Sequence, residues 1–210
     1  MLAQRCLDHV AGVDLNPYAT AIARFRLIIA ALRRCGVKRL AAAPALRLHL
    51  ATGDSLLHGP LLSDGATMVF DANRLSQNVA HVYGTEDAAE LREILGRGYH
   101  AVVGNPPYIA VQDASLRDAY RSRYASCHGK YVLTVPFMER FFELAQVRGE
   151  DEQSRAGFVG KITGNNFMKR EFGGPLVERF LPSVDVTALI DTSGASTSIV
   201  QQGRESVRVQ

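Results

Sequence analysis

The sequence predicts an α/β fold in which helices cover both faces of a doubly wound parallel sheet. Segments of strand type and helix type alternate along most of the 210 residues, which is the pattern of consecutive β-α-β units. Three strand-type segments end in short polar or proline-containing runs, and ligands of such sheets bind beyond the carboxyl ends of the strands. The composition, with 47% hydrophobic and 21% charged residues, is that of one globular domain.

The first half of the chain contains two predicted strands and a long predicted helix. Residues 9–14 are of strand type and end in an acid. The next segment begins with Asn16 as a capping residue and Pro17 in the first turn, and Gly36 provides a left-handed stop. Its apolar residues recur at helical spacing and predict one apolar face: Tyr18, Ile22, Phe25, Ile29 and Leu32. Residues 46–50 alternate with period two and predict the second strand.

The second half repeats the alternation. Helices are predicted over 87–95, where Gly96 closes the helix, and over 116–124, 134–147 and 175–180. Strands are predicted over 99–103, 157–162 and 186–190, and a short one is possible at 67–70.

Charge and cysteine content exclude little but point to a cytoplasmic protein. The net charge of +3 neither requires nor opposes nucleic-acid binding. The three cysteines are odd in number and lack a CxxC pair, so we expect reduced thiols rather than disulfides, and no metal site. No apolar run reaches the roughly 18 residues of a membrane span, and we expect no membrane association.

Two acidic residues follow strand-type segments and are candidates for binding a nucleoside cofactor. Asp14 ends the first strand just before a helix, where a carboxylate can hold both hydroxyls of a ribose. Leu15 would pack against the adenine. Asp54, with Ser55 beside it, follows the second strand and can accept a hydrogen bond from an exocyclic amine. The alternatives are a turn residue at Asp14 and a helix cap at Asp54.

The run Asn105-Pro106-Pro107-Tyr108 follows the third predicted strand and is the most specific string in the chain. Its two prolines remove two backbone donors and hold one extended turn. The Asn105 side-chain oxygen and the Pro106 carbonyl then form two acceptors for the N–H groups of a planar amine. Tyr108 offers a flat surface on which the ring of that amine can stack. A purely structural proline turn is the less favoured reading.

These motifs resemble those of amino methyltransferases with an (N/D)PP(Y/F) motif. Within that class the chain resembles the phage-exclusion adenine methyltransferases of the BREX/Pgl type, on five successive segments: GVDLNPYATAIARFRL, GDSLLHG, YHAVVGNPPYI, GKYVLTVPFMERFFELA and GFVGKITGNNFMKREFG. The resemblance implies a Rossmann-like fold, S-adenosyl-L-methionine as cofactor and methylation of adenine N6 in double-stranded DNA, with the adenine flipped out of the helix. Other phage-defence proteins are possible partners.

The resemblance also assigns roles to individual residues. Asp14 would bind the cofactor ribose and Asp54 the cofactor adenine, while Asn105, Pro106 and Tyr108 would bind the target adenine. Position in the chain, and not the resemblance, makes Lys161, Asn165 and Asn166 candidates for lining the cleft after a predicted strand, where residues 164–166 form either a flexible polar loop or simply a turn. Lys169 and Arg170 are candidates for phosphate contacts, although surface solvation is the favoured explanation of both.

Two features depart from the family pattern. The 13 residues before Asp14 contain no acid-x-x-x-Gly-x-Gly loop, so we expect an incomplete fold without its first strand, and poor solubility. We expect residues 1–195 to form part of a catalytic domain and residues 196–210, which are polar and irregular, to form a disordered tail.

The motifs are compatible with two alternative functions. A protein glutamine methyltransferase would use the same motif, although the 91 residues from Asp14 to Asn105 (105 − 14) favour DNA as the substrate. A remnant without activity, which retains weak DNA binding, is the non-enzymatic alternative.

Overall fold

The computed structural model describes residues 2–58, 87–147 and 155–192. These residues form a mixed α/β structure with two parallel two-stranded sheets. One sheet pairs β1 (Ala11–Asp14) with β2 (His49–Thr52), and the other pairs β3 (Ala101–Gly104) with β4 (Phe158–Lys161). The α-helices are α1 (Leu2–Asp8), α2 (Pro17–Arg34), α3 (Ala88–Leu95), α4 (Ala114–Arg123), α5 (Thr134–Leu144) and α6 (Asn166–Lys169). Short helical turns cover Leu40–Ala42, Glu171–Gly173, Leu176–Phe180 and Leu181–Ser183.

Both sheets bring predicted site residues to their carboxyl ends. Asp14 is the register partner of Thr52 in the first sheet, and Gly104 is the register partner of Lys161 in the second. The parallel direction agrees with the predicted fold class. Among the described residues, the four strands form two separate pairs instead of one continuous sheet.

The predicted helix boundaries rest on local signals that the structure confirms. The Asn16 side chain accepts a hydrogen bond from the Tyr18 backbone N–H at 2.9 Å and caps α2. Gly36 has a φ of 68° just beyond the end of that helix. Asp87 caps α3, which ends at Gly96 as predicted.

Two strand predictions need correction, and two further predictions lie outside the described residues. The second strand begins at His49 rather than residue 46, and all four of its residues are buried because α2 and α3 both pack against it. The strand predicted over 186–190 is wrong. Val186, Leu189 and Ile190 are exposed there, and the segment pairs with no strand in the described part of the chain. The possible strand at 67–70 and the predicted tail at 196–210 are the two that fall outside the described ranges.

The buried residues form two clusters. The larger one surrounds α4 and α5 and contains Tyr120, Tyr124, Tyr131, Val135 and Leu176. The smaller one packs α3 against the first sheet through Ala51, Leu91, Ile94 and Leu95. The apolar face of α2 is largely outside both clusters, since Tyr18, Ile22 and Phe25 are exposed and only Leu32 is buried among its predicted members.

No α-helix in the described ranges is both long enough and apolar enough to span a bilayer. Cys127 belongs to the larger cluster, and burial raises the pKa of its thiol. A buried, protonated thiol is a poor nucleophile.

Candidate active site

Asp14 and Leu15 lie at the carboxyl end of β1 and are accessible. The Asp14 Oδ1 atom accepts the Asn16 backbone N–H at 2.7 Å, which orients the exposed carboxylate. The Asp14 carbonyl accepts the N–H of Gly53 at 3.0 Å and joins the ends of β1 and β2. Leu15 is 44% exposed. A carboxylate and an apolar surface are therefore adjacent at this edge.

Asp54 lies at the neighbouring strand end but is 4% exposed. Its Oδ1 atom accepts the Leu56 backbone N–H at 2.8 Å, and its Oδ2 atom accepts a hydrogen bond from the Tyr120 hydroxyl. Asp54 thus organises the turn that follows β2. Any contact of this carboxylate with a cofactor amine would have to share or replace the bond to Tyr120.

Buried polar side chains from α4 and α5 hold the loop formed by residues 54–58. The Tyr124 hydroxyl donates to the Leu56 carbonyl at 2.7 Å. Arg123 Nη1 donates to the Leu57 carbonyl at 2.7 Å. Arg140 Nε donates to the Ser55 carbonyl at 2.9 Å, and its Nη2 donates to the His58 carbonyl. The loop carbonyls are therefore bound by side chains that come from beyond the Asn105 motif.

Sequence reasoning missed these side chains. Burial lowers the pKa of Arg123 and raises that of Tyr124. Arg140 is 1% exposed, between the aromatic residues of α5. An arginine among the apolar residues of a predicted helix was the one signal that could have revealed a buried polar contact.

Gly53 is required for the close approach of this loop to α3. Its φ is 152°, and a Cβ atom there would lie 2.3 Å from Leu91 Cδ1. We expect Gly53→Ala to lower the free energy of unfolding by roughly 2–4 kcal/mol, from backbone strain and overpacking together. Denaturant titration measures this loss.

Gly36→Ala is the matched control, since Gly36 also has a positive φ but no atom within 4 Å of the added methyl. It should cost only about 1–2 kcal/mol. Equal losses for the two variants would show that the contact with Leu91 contributes nothing.

The Asn105 motif follows β3, and the residue before it lies against α5. Gly104 lies against Phe141, whose Cζ atom would be 2.5 Å from an added Cβ. Asn105 is exposed, Pro106 is buried and Pro107 is exposed. The Tyr108 hydroxyl donates to Asn105 Oδ1 at 2.5 Å, so the predicted acceptor and the predicted stacking ring are in direct contact.

Backbone contacts fix the rest of the motif loop, which comprises residues 105–110. The Leu133 N–H donates to the Ile109 carbonyl at 2.9 Å, and Ala110 forms a bridge with Val132. The Gly164 backbone packs beside Tyr108, since an added methyl there would lie 3.8 Å from Tyr108 Cγ. The segment 131–133 and the loop after β4 therefore both flank the motif.

The other predicted substrate residues occupy different positions. Asn165 is half-buried just before α6, while Asn166 and Lys169 are exposed at the two ends of that helix. Lys161 projects towards α5, where its Nζ donates to the Thr134 carbonyl at 2.6 Å and lies 5.6 Å from the Phe141 ring centroid. The structure thus brings Gly164 to the motif and directs the Lys161 amine into the protein.

Burial lowers the pKa of Lys161 to about 7. The pKa of an unfolded lysine is about 10.4, so between this pH and about pH 7 the unfolded chain binds more protons than the folded chain. Stability is therefore expected to rise with pH from about 7 towards 10 and to fall as pH is lowered through that window. Lys161→Met should remove this rise.

Denaturant titration at about pH 7 and pH 9 gives the change of the unfolding free energy with pH for the unmodified chain and for Lys161→Met. Lys38→Met, at an exposed position, controls for the loss of a lysine. A Lys161→Met variant with the wild-type slope would contradict the assignment.

The comparisons with known proteins agree with the motifs. The chain matches the model of the Eco57I restriction-modification methylase family over residues 8–197. It is 49% identical over 193 residues to the adenine-specific methyltransferase PglX of Streptomyces coelicolor, which covers 90% of this chain and 16% of that protein. It is 33% identical over 105 residues to the type II methyltransferase M.PaeR7I of Pseudomonas aeruginosa, covering 47% of this chain and 17% of the relative.

A third relative is the type II methyltransferase M.BstVI of Geobacillus stearothermophilus, with 31% identity over 93 residues, 43% of this chain and 15% of that protein. The chain therefore spans about one-sixth of the length of these relatives. No solved structure matches it. Because the family model covers most of the residues, including both acidic strand ends and the Asn105 motif, the chain belongs to the Eco57I restriction-modification methylase family.

Proposed function

We propose that this chain is part of an enzyme that transfers a methyl group to the N6 amino group of adenine in double-stranded DNA, in a restriction-modification or phage-defence system. The observation that carries the proposal is the contact between Asn105 and Tyr108 at the carboxyl end of β3. It joins an amide acceptor and an aromatic ring on a turn that Pro106 and Pro107 hold rigid. The names of the relatives, an adenine-specific methyltransferase among them, support the same activity.

The residues at the end of β1 fit S-adenosyl-L-methionine. The Asp14 carboxylate is exposed and accepts the Asn16 N–H through Oδ1, which suits the binding of a pair of ribose hydroxyls. Leu15 is exposed beside it and suits one face of an adenine ring. Ser55 and Asp54 would border the other side of that ring. When bound, this cofactor supplies an electrophilic methyl group.

The motif loop would bind and orient the target base. Asn105 Oδ1 and the Pro106 carbonyl would each accept one N–H of the adenine amine, which draws its lone pair out of conjugation with the ring. The Tyr108 hydroxyl donates to Asn105 Oδ1, so it would share that acceptor with the incoming amine or give it up, and the tyrosine ring would stack on the base. Catalysis would rest on this positioning and on the two fixed acceptors.

We further propose that the two parallel strand pairs belong to one Rossmann-like methyltransferase fold. Support comes from their common parallel direction and from the candidate residues at the carboxyl ends of both pairs. Asn165, Asn166 and Lys169, on the chain that continues past Tyr108, would contribute to the DNA side of the site. The Lys161 amine would stabilise the end of β4 through its hydrogen bond to the Thr134 carbonyl.

Methyl transfer distinguishes this activity from its alternatives. The chain, and in parallel the longest reading frame that contains it, is incubated with methyl-labelled S-adenosyl-L-methionine and either duplex DNA or a glutamine-containing protein extract. Label in DNA supports the proposal. Label in protein alone would establish the glutamine methyltransferase instead, and an absence of both transfer and cofactor binding would establish an inactive remnant.

A further inference from the structure

A basic cleft of about 450 Å³ opens between two turns on the α4–α6 side of the structure. One turn contributes His128 and Lys130, and the other contributes Lys169, Arg170 and Glu171. Lys130, Lys169 and Arg170 are exposed. No acidic residue of the described part of the chain forms an ion pair with these three side chains, so three cations share a concave surface with one nearby carboxylate.

Both turns are held in place by the larger buried cluster. Cys127 and Tyr131, which precede and follow the first turn, are 5% and 0% exposed. Phe167 and Phe172 lie on either side of the second turn. Phe167 belongs to the same cluster, and Phe172 packs against it. Arg121 adds a hydrogen bond from Nη2 to the Gly129 carbonyl at 2.9 Å. The cations therefore stand on short, fixed segments, although 39 residues separate Lys130 from Lys169 (169 − 130).

The same two segments lead directly to the motif loop. Lys130 is two residues from Val132, which forms a bridge with Ala110, and the Leu133 N–H binds the Ile109 carbonyl. On the other side, the Gly164 backbone packs against Tyr108 five residues before Lys169 (169 − 164). Each of the two segments that line the cleft therefore contacts the motif loop within a few residues of its cations.

We propose that this cleft binds a backbone phosphate of double-stranded DNA close to the nucleotide whose base enters the motif loop. The choice of DNA rests on the proposed function. Fixed cations at a concave surface suit a phosphate, because phosphate contacts set the register of a duplex without reading its sequence. A phosphate held here would keep the strand in place while the base is rotated out, which the acceptors at Asn105 cannot do by themselves.

The test measures DNA binding without cofactor, so that it does not depend on methyl transfer. Fluorescence anisotropy with a labelled duplex gives Kd over a series of salt concentrations for the chain and for the triple variant Lys130→Gln, Lys169→Gln, Arg170→Gln. The matched control is Arg26→Gln, Arg33→Gln, Arg34→Gln, which removes the same charge from exposed positions of α2. Circular dichroism checks that both variants stay folded, and single variants of Lys130 and Arg170 replace the triple one if it unfolds.

The triple variant is expected to weaken binding roughly 10- to 100-fold at about 0.1 M salt and to reduce the slope of log Kd against log salt by about 1, the value for one neutralised phosphate, with a smaller reduction for each single variant. The loss should be independent of DNA sequence, and the α2 control should lose far less. Equal losses in the two triple variants, or no binding of DNA by the unmodified chain, would overturn the proposal. Tighter binding of double-stranded RNA than of DNA would overturn the choice of DNA. If methyl transfer to DNA fails while binding still depends on the cleft, the proposed function falls and the phosphate site stands.

Discussion

Asn105→Ala is expected to lower the rate of methyl transfer by roughly 10²–10³-fold, the usual effect of removing one preorganised polar group from an active site. The substitution deletes the side-chain acceptor and leaves only the Pro106 carbonyl to bind the amine. It also deprives the Tyr108 hydroxyl of its partner. Cofactor binding should be largely unchanged, because Asp14 and Leu15 lie at the end of a different strand pair.

Single-turnover transfer and calorimetry with S-adenosyl-L-methionine separate these two effects. Asn105→Asp is the conservative variant, since it keeps an oxygen acceptor at the same position and should retain much more activity than the alanine variant. The same pair of substitutions in a full-length relative provides a parallel measurement. An alanine variant as active as the unmodified enzyme would refute the role given to Asn105.

The largest expected effect on stability is that of Arg140→Met. Arg140 is 1% exposed and donates to the carbonyls of Ser55 and His58 and to Glu143 Oε2 at 2.9 Å. Methionine has a similar length but no donor, so the Ser55 carbonyl and the mostly buried Glu143 carboxylate would lose these hydrogen bonds, and the His58 carbonyl would keep only the longer bond from Arg123 Nη2. Breaking a buried ion pair in this way costs about 3–5 kcal/mol.

Denaturant titration measures the free energy of unfolding, and Arg47→Ala is the control. Arg47 forms an ion pair with Glu93 at 2.8 Å, but both side chains are exposed, so its loss should cost less than about 1 kcal/mol. If Arg140→Met costs no more than Arg47→Ala, then Arg140 does not hold the 54–58 loop.

The predictions that succeeded depended on local chemistry. Asn16 marks the start of α2 and Gly36 marks its end, because a side-chain cap and a left-handed glycine act on the residues next to them. Asp14 and the Asn105 motif were predicted at strand ends because each directly follows a strand-type segment. In parallel sheets the ligand-binding residues lie at the carboxyl ends of the strands. Such signals are complete within a few residues and can be read without the fold.

The features that were missed depend on residues far apart in the chain. Nothing near Asp54 indicates that Tyr120 will reach it, since 66 residues separate the two (120 − 54). The alternation at residues 46–50 predicted a strand, but the strand covers His49–Thr52, where all four residues are buried under α2 and α3 instead of alternating. The apolar run at 186–190 is compatible with a strand, yet an isolated strand needs a partner, and the described chain offers it none.

The Asn105 motif is proposed to bind adenine for methylation at N6. The most direct measurement is mass spectrometry of nucleosides digested from duplex DNA that has been treated with the protein and deuteromethyl-labelled S-adenosyl-L-methionine. We predict a labelled methyl group on deoxyadenosine, with fragmentation that places it at N6, and its loss in the Asn105→Ala variant. Label on deoxycytidine, or label on deoxyadenosine that persists undiminished in that variant, would contradict the account.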